Sequence, residues 1–259
     1  EGGRIGGFRA AETGWAGVGG AGERRSVERR DGAMARVVIF GSAKMAVMSH
    51  FYLTHDSPHE VVAFTVDREF LKEDTVCGLH VVPFEAVERA YPPTEYKMFV
   101  AMQFGRLNRS RAEKYQEAKD KGYELISYVS SKAVVWPGLV LGDNCYIGEG
   151  SVIQPFVEIG NDVIVACGGI VGHDSVIGDH CFLASHCVVL GCAKIEPYCF
   201  LGANSTIVDV ARVGRESIVG AGVLITGNTK PKSVYVGKAG ELLPKRSDEV
   251  GQWLTWPVR

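Results

Sequence analysis

The chain has 259 residues, 46% of them apolar and 22% charged, and a formal net charge of -2. This is the make-up of one or two globular domains. The charge is too small, and of the wrong sign, for a protein that coats nucleic acid by electrostatics or rides a membrane on a basic face. No run of about 18 apolar residues offers a spanning helix, so membrane insertion is not expected. Glycine is abundant at 32 residues, which points to many tight turns. The seven cysteines, Cys77, Cys145, Cys167, Cys181, Cys187, Cys192 and Cys199, include no CxxC pair. They suit neither a disulfide framework nor a zinc site. With no apolar leader at the start of the sequence, they read as free thiols of a cytoplasmic protein.

In chain order, residues 1–33 are rich in Gly, Arg, Glu and Ala without apolar periodicity, and read as a disordered or added extension. Residues 34–130 read as a small α/β unit. Val37, Val38, Ile39 and Phe40 form a buried strand ending at Gly41, followed by a helix to about Leu53. Further strands are expected over 61–66, 79–82 and 98–102, a short helix over 84–90, and an amphipathic helix over 108–121 stopped by Gly122. Alternating strands and helices imply a parallel sheet with right-handed crossovers.

From residue 133 the pattern changes. Every sixth residue from Val135 to Ile225 is Val, Leu or Ile, sixteen in succession. Chance would produce sixteen apolar residues in one phase about four times in a million. The next position is often Gly, and small or apolar residues, among them Cys145, Cys181, Cys187 and Cys199, stand two places before many of the aliphatics. Each hexad supplies a short strand and a turn, and three hexads close one triangular coil. Successive coils then pair as parallel strands ~4.8 Å apart, giving a solenoid of about five coils across residues 131–240. Lys230, Lys232, Lys238, Lys245 and Arg246 make the end of the chain basic and irregular, and residues 241–259 form a tail that carries Trp253 and Trp256.

His173 and Asp174 follow Val171 and Gly172 at a turn, outside the aliphatic stack. An imidazole there could take a proton, and the neighbouring carboxylate could hold its tautomer. Gly191 lies 18 residues on, one coil further, and should stack beside His173. The steps from His173 to His180 and His186 leave the three histidines at different corners, so no metal site is expected. In the α/β unit, Gly41, Ser42, Ala43 and Lys44 hold only the first glycine of a phosphate-cradling turn. Ser42 and Lys44 could still contact a phosphate, and Asp67, closing the second strand, could accept hydrogen bonds from a ribose or base. Arg106, Arg109, Arg111 and Lys114 read as a solvated basic face, or alternatively as a phosphate contact.

The hexads, the strand over 37–41, Asp67, the helix end at Lys121 and Gly122, and Gly172-His173-Asp174 together resemble the left-handed β-helix acyltransferases of the hexapeptide-repeat family. They are most similar to its branch of nucleotide-aminosugar N-acetyltransferases and sialic acid O-acetyltransferases. The resemblance covers about residues 35–240. It implies a Rossmann-like domain followed by a left-handed β-helix, a homotrimer, and acetyl-CoA as co-substrate without a metal. It also implies acetyl transfer to the amine of a nucleotide-linked amino sugar destined for polysaccharide. In the family the base is a His followed by an acid, usually Glu, which assigns His173 and Asp174. A backbone N–H near Gly191 contacts the thioester carbonyl, and the end of the β-helix, here Lys238, lies near the adenosine phosphates of coenzyme A. His186 could sit near the acyl donor across a subunit interface. Gly41, Ser42, Lys44 and Asp67 would hold the nucleotide sugar. An O-acetyltransferase and a non-catalytic nucleotide-sugar-binding trimer are the alternatives; Phe182, where relatives often carry His, speaks for the second.

Overall fold

The computed structural model describes residues 34–240, the backbone of Arg25–Ser26, and single positions Leu242 and Pro244. The expected extension over 1–33 and the tail with Trp253 and Trp256 otherwise lie outside the described residues. The Arg25–Ser26 backbone pairs antiparallel with Val140–Leu141.

The first unit is a sheet in which Leu79–Pro83, Glu60–Val66, Arg36–Phe40 and Lys97–Val100 run parallel in that spatial order. Thr75–Val76 adds an antiparallel edge that the sequence did not announce. Alternation along Arg36–Phe40 divides the core. Val37 and Ile39 pack with Ala46 and Leu53 of helix Lys44–Asp56. Val38 and Phe40 pack with Phe84 and with Tyr115 and Ala118 of helix Arg109–Asp120. That helix ends as its composition demands: Gly122 takes φ +89°, and its N–H donates to Lys119 O at 2.8 Å.

The hexads form a left-handed parallel β-helix. Every sixth-place aliphatic from Leu141 to Ile225 points inward, and together with the small inward residues they make one continuous core. Each fully buried aliphatic contributes ~1.5–3 kcal/mol. The small positions do more than fill the corners. Cys145, Cys181 and Cys199 each donate Sγ–H to the carbonyl 15 residues on, at 3.0, 3.2 and 3.2 Å. Ser151 and Ser175 donate Oγ–H with the same spacing, at 3.2 and 2.9 Å. Cys and Ser are therefore interchangeable here as compact donors to turn carbonyls. The register begins one hexad earlier than the run from Ala133, because Val129 is in phase and Tyr128–Val129 pairs parallel with Tyr146–Ile147.

Each coil turns three corners, and the corners are built from left-handed residues in columns 18 apart. One column is Phe156, Asp174, Cys192 and Val210, with φ between 56° and 66°. Another is Asn144, Asp162, His180, Tyr198 and Glu216, and the third includes Gly150, Gly168, His186 and Asn204. Non-glycine residues at left-handed φ cost ~1–2 kcal/mol each, offset here by turn hydrogen bonds such as His180 N–H to Asn161 O, 2.8 Å.

The first unit packs on the face formed by Tyr128, Tyr146 and Ile164, and grips both corners flanking it. At one, Tyr52 Oη–H donates to Glu149 at 3.1 Å, and Asp56 accepts from Tyr128, Ser130 and Ser131. At the other, the Arg111 guanidinium is fully buried and donates to the Asp162 carboxylate at 2.9 Å and to backbone carbonyls of Asp162 and Cys181. Asn144 and His180 complete the shell of Asp162 at 2.7 and 2.8 Å. The corner of His173 and Asp174 lies across the prism from this packed face.

Candidate active site

His173 and Asp174 stand on the corner of the Phe156, Asp174, Cys192 and Val210 column, about half exposed. The Asp174 backbone, at φ +56°, turns its carboxylate back onto the imidazole, and Asp174 Oδ2 lies 2.9 Å from His173 Nδ1. Gln154, one coil earlier, accepts the His173 N–H through Oε1 at 2.9 Å, and Cys192 N–H donates to His173 O at 2.8 Å. The ring leans on Gly191. A Cβ at Gly191 would fall 2.6 Å from His173 Nε2 and 2.8 Å from Cε1. This glycine is therefore needed for the imidazole above it and not for its own φ. With Nδ1 engaged by Asp174, Nε2 is the free nitrogen, the arrangement a general base requires.

The Gly191 N–H does not stand open to a thioester oxygen: it donates to Asp209 Oδ1 at 3.0 Å. The same device recurs at another corner, where Asp143 and Asn161 N–H groups donate to Asn161 and Asp179 side chains one coil on. The 18-residue period places Asp209 and Cys192 directly after Gly191 and Asp174. Neither stands out by residue type, and the contacts they make appear only in the fold.

In the first unit, Glu60–Val66 and Lys97–Val100 flank Arg36–Phe40 on opposite sides, so Gly41 sits at the switch point where ligands enter such sheets. Gly41 has φ +117°, and a Cβ there would lie 3.0 Å from Ala101 O. Ser42 and Lys44 are exposed beside it. Asp67 closes the neighbouring strand, but its carboxylate is paired with Lys114 Nζ at 2.8 Å. Burial opposes the charge on this lysine, yet the contacts to Asp67 and Glu117 outweigh it and raise its pKa.

The basic run is a solvated face only at Arg106 and Arg109, which are exposed, whereas Lys114 is mostly covered and Arg111 is fully buried. Arg106 pairs with Glu113, Arg109 with Glu216, Lys114 with Asp67, and Arg111 is the buried clamp on Asp162. The helical period turns Arg111 inward, and only the tertiary fold supplies the acid it meets. His180, on Asp162, lines a cleft of about 280 Å³ with Tyr115, Tyr198 and Arg109. His186 projects from the remaining corner over Gly168, with Nδ1 2.5 Å from where a Cβ on that glycine would stand. Within one chain His173, His180 and His186 occupy three different corners. Lys238 is exposed beyond the last strand, Val234–Tyr235. Among the described residues, no helix is long and apolar enough to cross a membrane.

A profile described as the hexapeptide repeat of succinyl-transferase matches residues 138–173 and 193–227. The match marks hexapeptide repeats within the β-helix of this chain. A search of curated proteins finds no match, but solved structures share the whole two-part fold. The acetyltransferase domain of PglB from Neisseria gonorrhoeae is 19% identical, with TM-score 0.69 over 77% of this chain and 95% of its own. PerB from Caulobacter crescentus, solved with CoA and GDP-perosamine, is 24% identical, with TM-score 0.66 over 76% and 92%. WeeI from Acinetobacter baumannii is 19% identical, with TM-score 0.67 over 79% and 97%. These likenesses establish the architecture of this hexapeptide-repeat chain: a Rossmann-like unit followed by a left-handed β-helix.

Proposed function

We propose that this hexapeptide-repeat protein transfers an acetyl group from acetyl-CoA to the amine of a nucleotide-linked amino sugar. The observation that carries the reading is the His173–Asp174 pair, set at an open corner with Nε2 free above a glycine that leaves it room. The fold is shared with a structure solved with CoA and GDP-perosamine, and with a PglB domain solved with acetyl coenzyme A. Asp174 holds the imidazole with Nδ1–H donated, so Nε2 accepts the proton as the amine nitrogen attacks the thioester carbonyl. The carbon–sulfur bond then breaks and coenzyme A leaves as the thiol, carrying the proton. Approximation of amine and thioester supplies much of the rate. The oxyanion would take the Gly191 N–H by displacing Asp209 Oδ1 from it; such a donor is worth ~2.7–4 kcal/mol.

The crevice at Gly41, Ser42, Lys44 and Asp67 would receive the nucleotide, with Lys114 as the partner that Asp67 must exchange or share. This crevice belongs to the unit packed on one face of the prism, and His173 stands across the prism from that face. One chain therefore does not close its own site, which favours a homotrimer in which the first unit of one copy serves His173 of the next. His186 and Lys238 would then flank the coenzyme A between two prisms. Thiols without disulfides suit the cytoplasm as the place of work.

The test is thiol release from acetyl-CoA against a panel of nucleotide-linked 3-amino and 4-amino sugars, with His173→Ala beside the natural chain. Turnover of one sugar, lost in the variant, is expected. Turnover only with a hydroxyl acceptor would replace the amine by an alcohol. Binding of coenzyme A without turnover on any sugar would replace the enzyme by a binding protein.

A further inference from the structure

The corner that holds His173 carries one more group that the acyl-transfer reading does not use. Cys192 lies 18 residues after Asp174 in the same left-handed column, with φ +58° against +56°. The two side chains thus leave the corner in parallel, one coil (~4.8 Å) apart. Its N–H is bonded to His173 O at 2.8 Å, which ties the two turns together. One ligand atom each from His173, Asp174 and Cys192 all lie within 4.8 Å of one another, and the imidazole and carboxylate are about half exposed.

We propose that His173, Asp174 and Cys192 form an inhibitory site for a thiophilic divalent cation of the zinc class. Tetrahedral zinc holds N, O and S donors at ~2.0–2.3 Å, so its donors stand about 3.3–3.8 Å apart. The Nδ1–Oδ2 pair stands at 2.9 Å, about 0.4 Å inside that span, so it must open slightly to hold the ion. Closing the thiol onto the pair needs a movement of about 1 Å, which a rotation of exposed side chains supplies. One nitrogen, one oxygen and one sulfur donor leave the fourth position to water, and this mixed set excludes magnesium and calcium in favour of zinc, cobalt or cadmium. Binding releases the thiol proton to solvent; the imidazole either gives Nε2 to the cation, or gives Nδ1 and carries its proton on Nε2, and in both cases Nε2 can no longer act as the base. The inhibitory role rests on the reading of His173 as the base, whereas the metal site itself does not. It departs from the expectation that no metal binds, because the donors come from two adjacent coils at one corner and not from three converging histidines.

The decisive experiment titrates the full chain with cobalt(II) alone and follows the near-ultraviolet thiolate-to-cobalt charge-transfer absorption, then displaces the cobalt with zinc. One cobalt per chain with the charge-transfer band is expected. The band should disappear in Cys192→Ser, and affinity should fall by more than ~100-fold in both Cys192→Ser and His173→Gln, beyond what loss of an outer-shell partner costs. Circular dichroism shows whether each variant is folded, and Cys77→Ser serves as the control that should keep the band. A cobalt spectrum without the band, or one unchanged in Cys192→Ser, overturns the site. Micromolar zinc should suppress acetyl transfer by the natural chain and release it on chelation. A chain that binds cobalt but transfers no acetyl group would refute the base and leave the metal site standing. A chain that turns over but binds no cobalt would do the reverse.

Discussion

The contact between Gly191 and His173 makes a sharp prediction. In Gly191→Ala the new methyl would lie 2.6 Å from Nε2, where ordinary contact begins at 3.4 Å, so the ring must retreat by about 0.8 Å. Gly191 is not among the left-handed residues, so alanine fits its backbone. The obstructing group is a half-exposed ring and not a wall of the core, so the ring can swing away at little cost. Stability should therefore change by less than ~1 kcal/mol, since any strain is offset by the entropy that alanine removes from the unfolded chain. Activity should suffer far more. Swinging the ring breaks its 2.9 Å contact with Asp174 and misplaces Nε2, and a displacement near 1 Å costs ~100-fold in rate, or ~2.7 kcal/mol of barrier. The assay is kcat/KM for acetyl transfer beside the thermal midpoint, with His173→Ala for comparison. A variant with near-natural kcat/KM would refute the placement of the base. A loss accompanied by a fall in midpoint of more than about 5 °C would mean that the glycine serves the coil instead.

Other outcomes follow from the same structure. Arg111→Ala leaves Asp162 buried without its cation and should destabilise the chain by ~3–5 kcal/mol, measured by urea unfolding. Burial alone would raise the Asp56 carboxyl, but hydrogen bonds from Ser131, Tyr128 and Ser130 outweigh it and hold its pKa down to about 2, from an ordinary 3.8. Its stabilisation is thus complete above pH ~4 and lost as pH falls towards ~2. Asp56→Asn should flatten that part of the acid-unfolding curve. Native thiol titration should modify Cys77 and Cys192 quickly and spare Cys145, Cys181, Cys187 and Cys199, which are buried. Burial pushes the Cys187 thiol up to about 11 and holds Cys145 and Cys181 well above the ordinary thiol range, and because all four are shut away from reagent they should react only after unfolding.

The sequence alone determined the solenoid, because a six-residue period admits one solution: strands too short to stand alone must stack coil upon coil, and the aliphatics at every sixth place must share the axis. It also determined the parallel sheet before the solenoid, through buried runs that end at Gly41 and Asp67, and it placed His173 beside Gly191 through the 18-residue coil. The structure alone decided what crosses between elements. Arg111 reads as one more surface cation of a charged helix until the packed face brings Asp162 against it. Asp67 reads as an open acceptor until Lys114, 47 residues on, takes it. The Gly191 N–H reads as free until Asp209 closes on it from the next coil. Cys192 gains a role only when it stands over Asp174. Periodicity is a property of neighbours along the chain and can be read there; charge pairing is a property of neighbours in space, and it waits for the fold to make them.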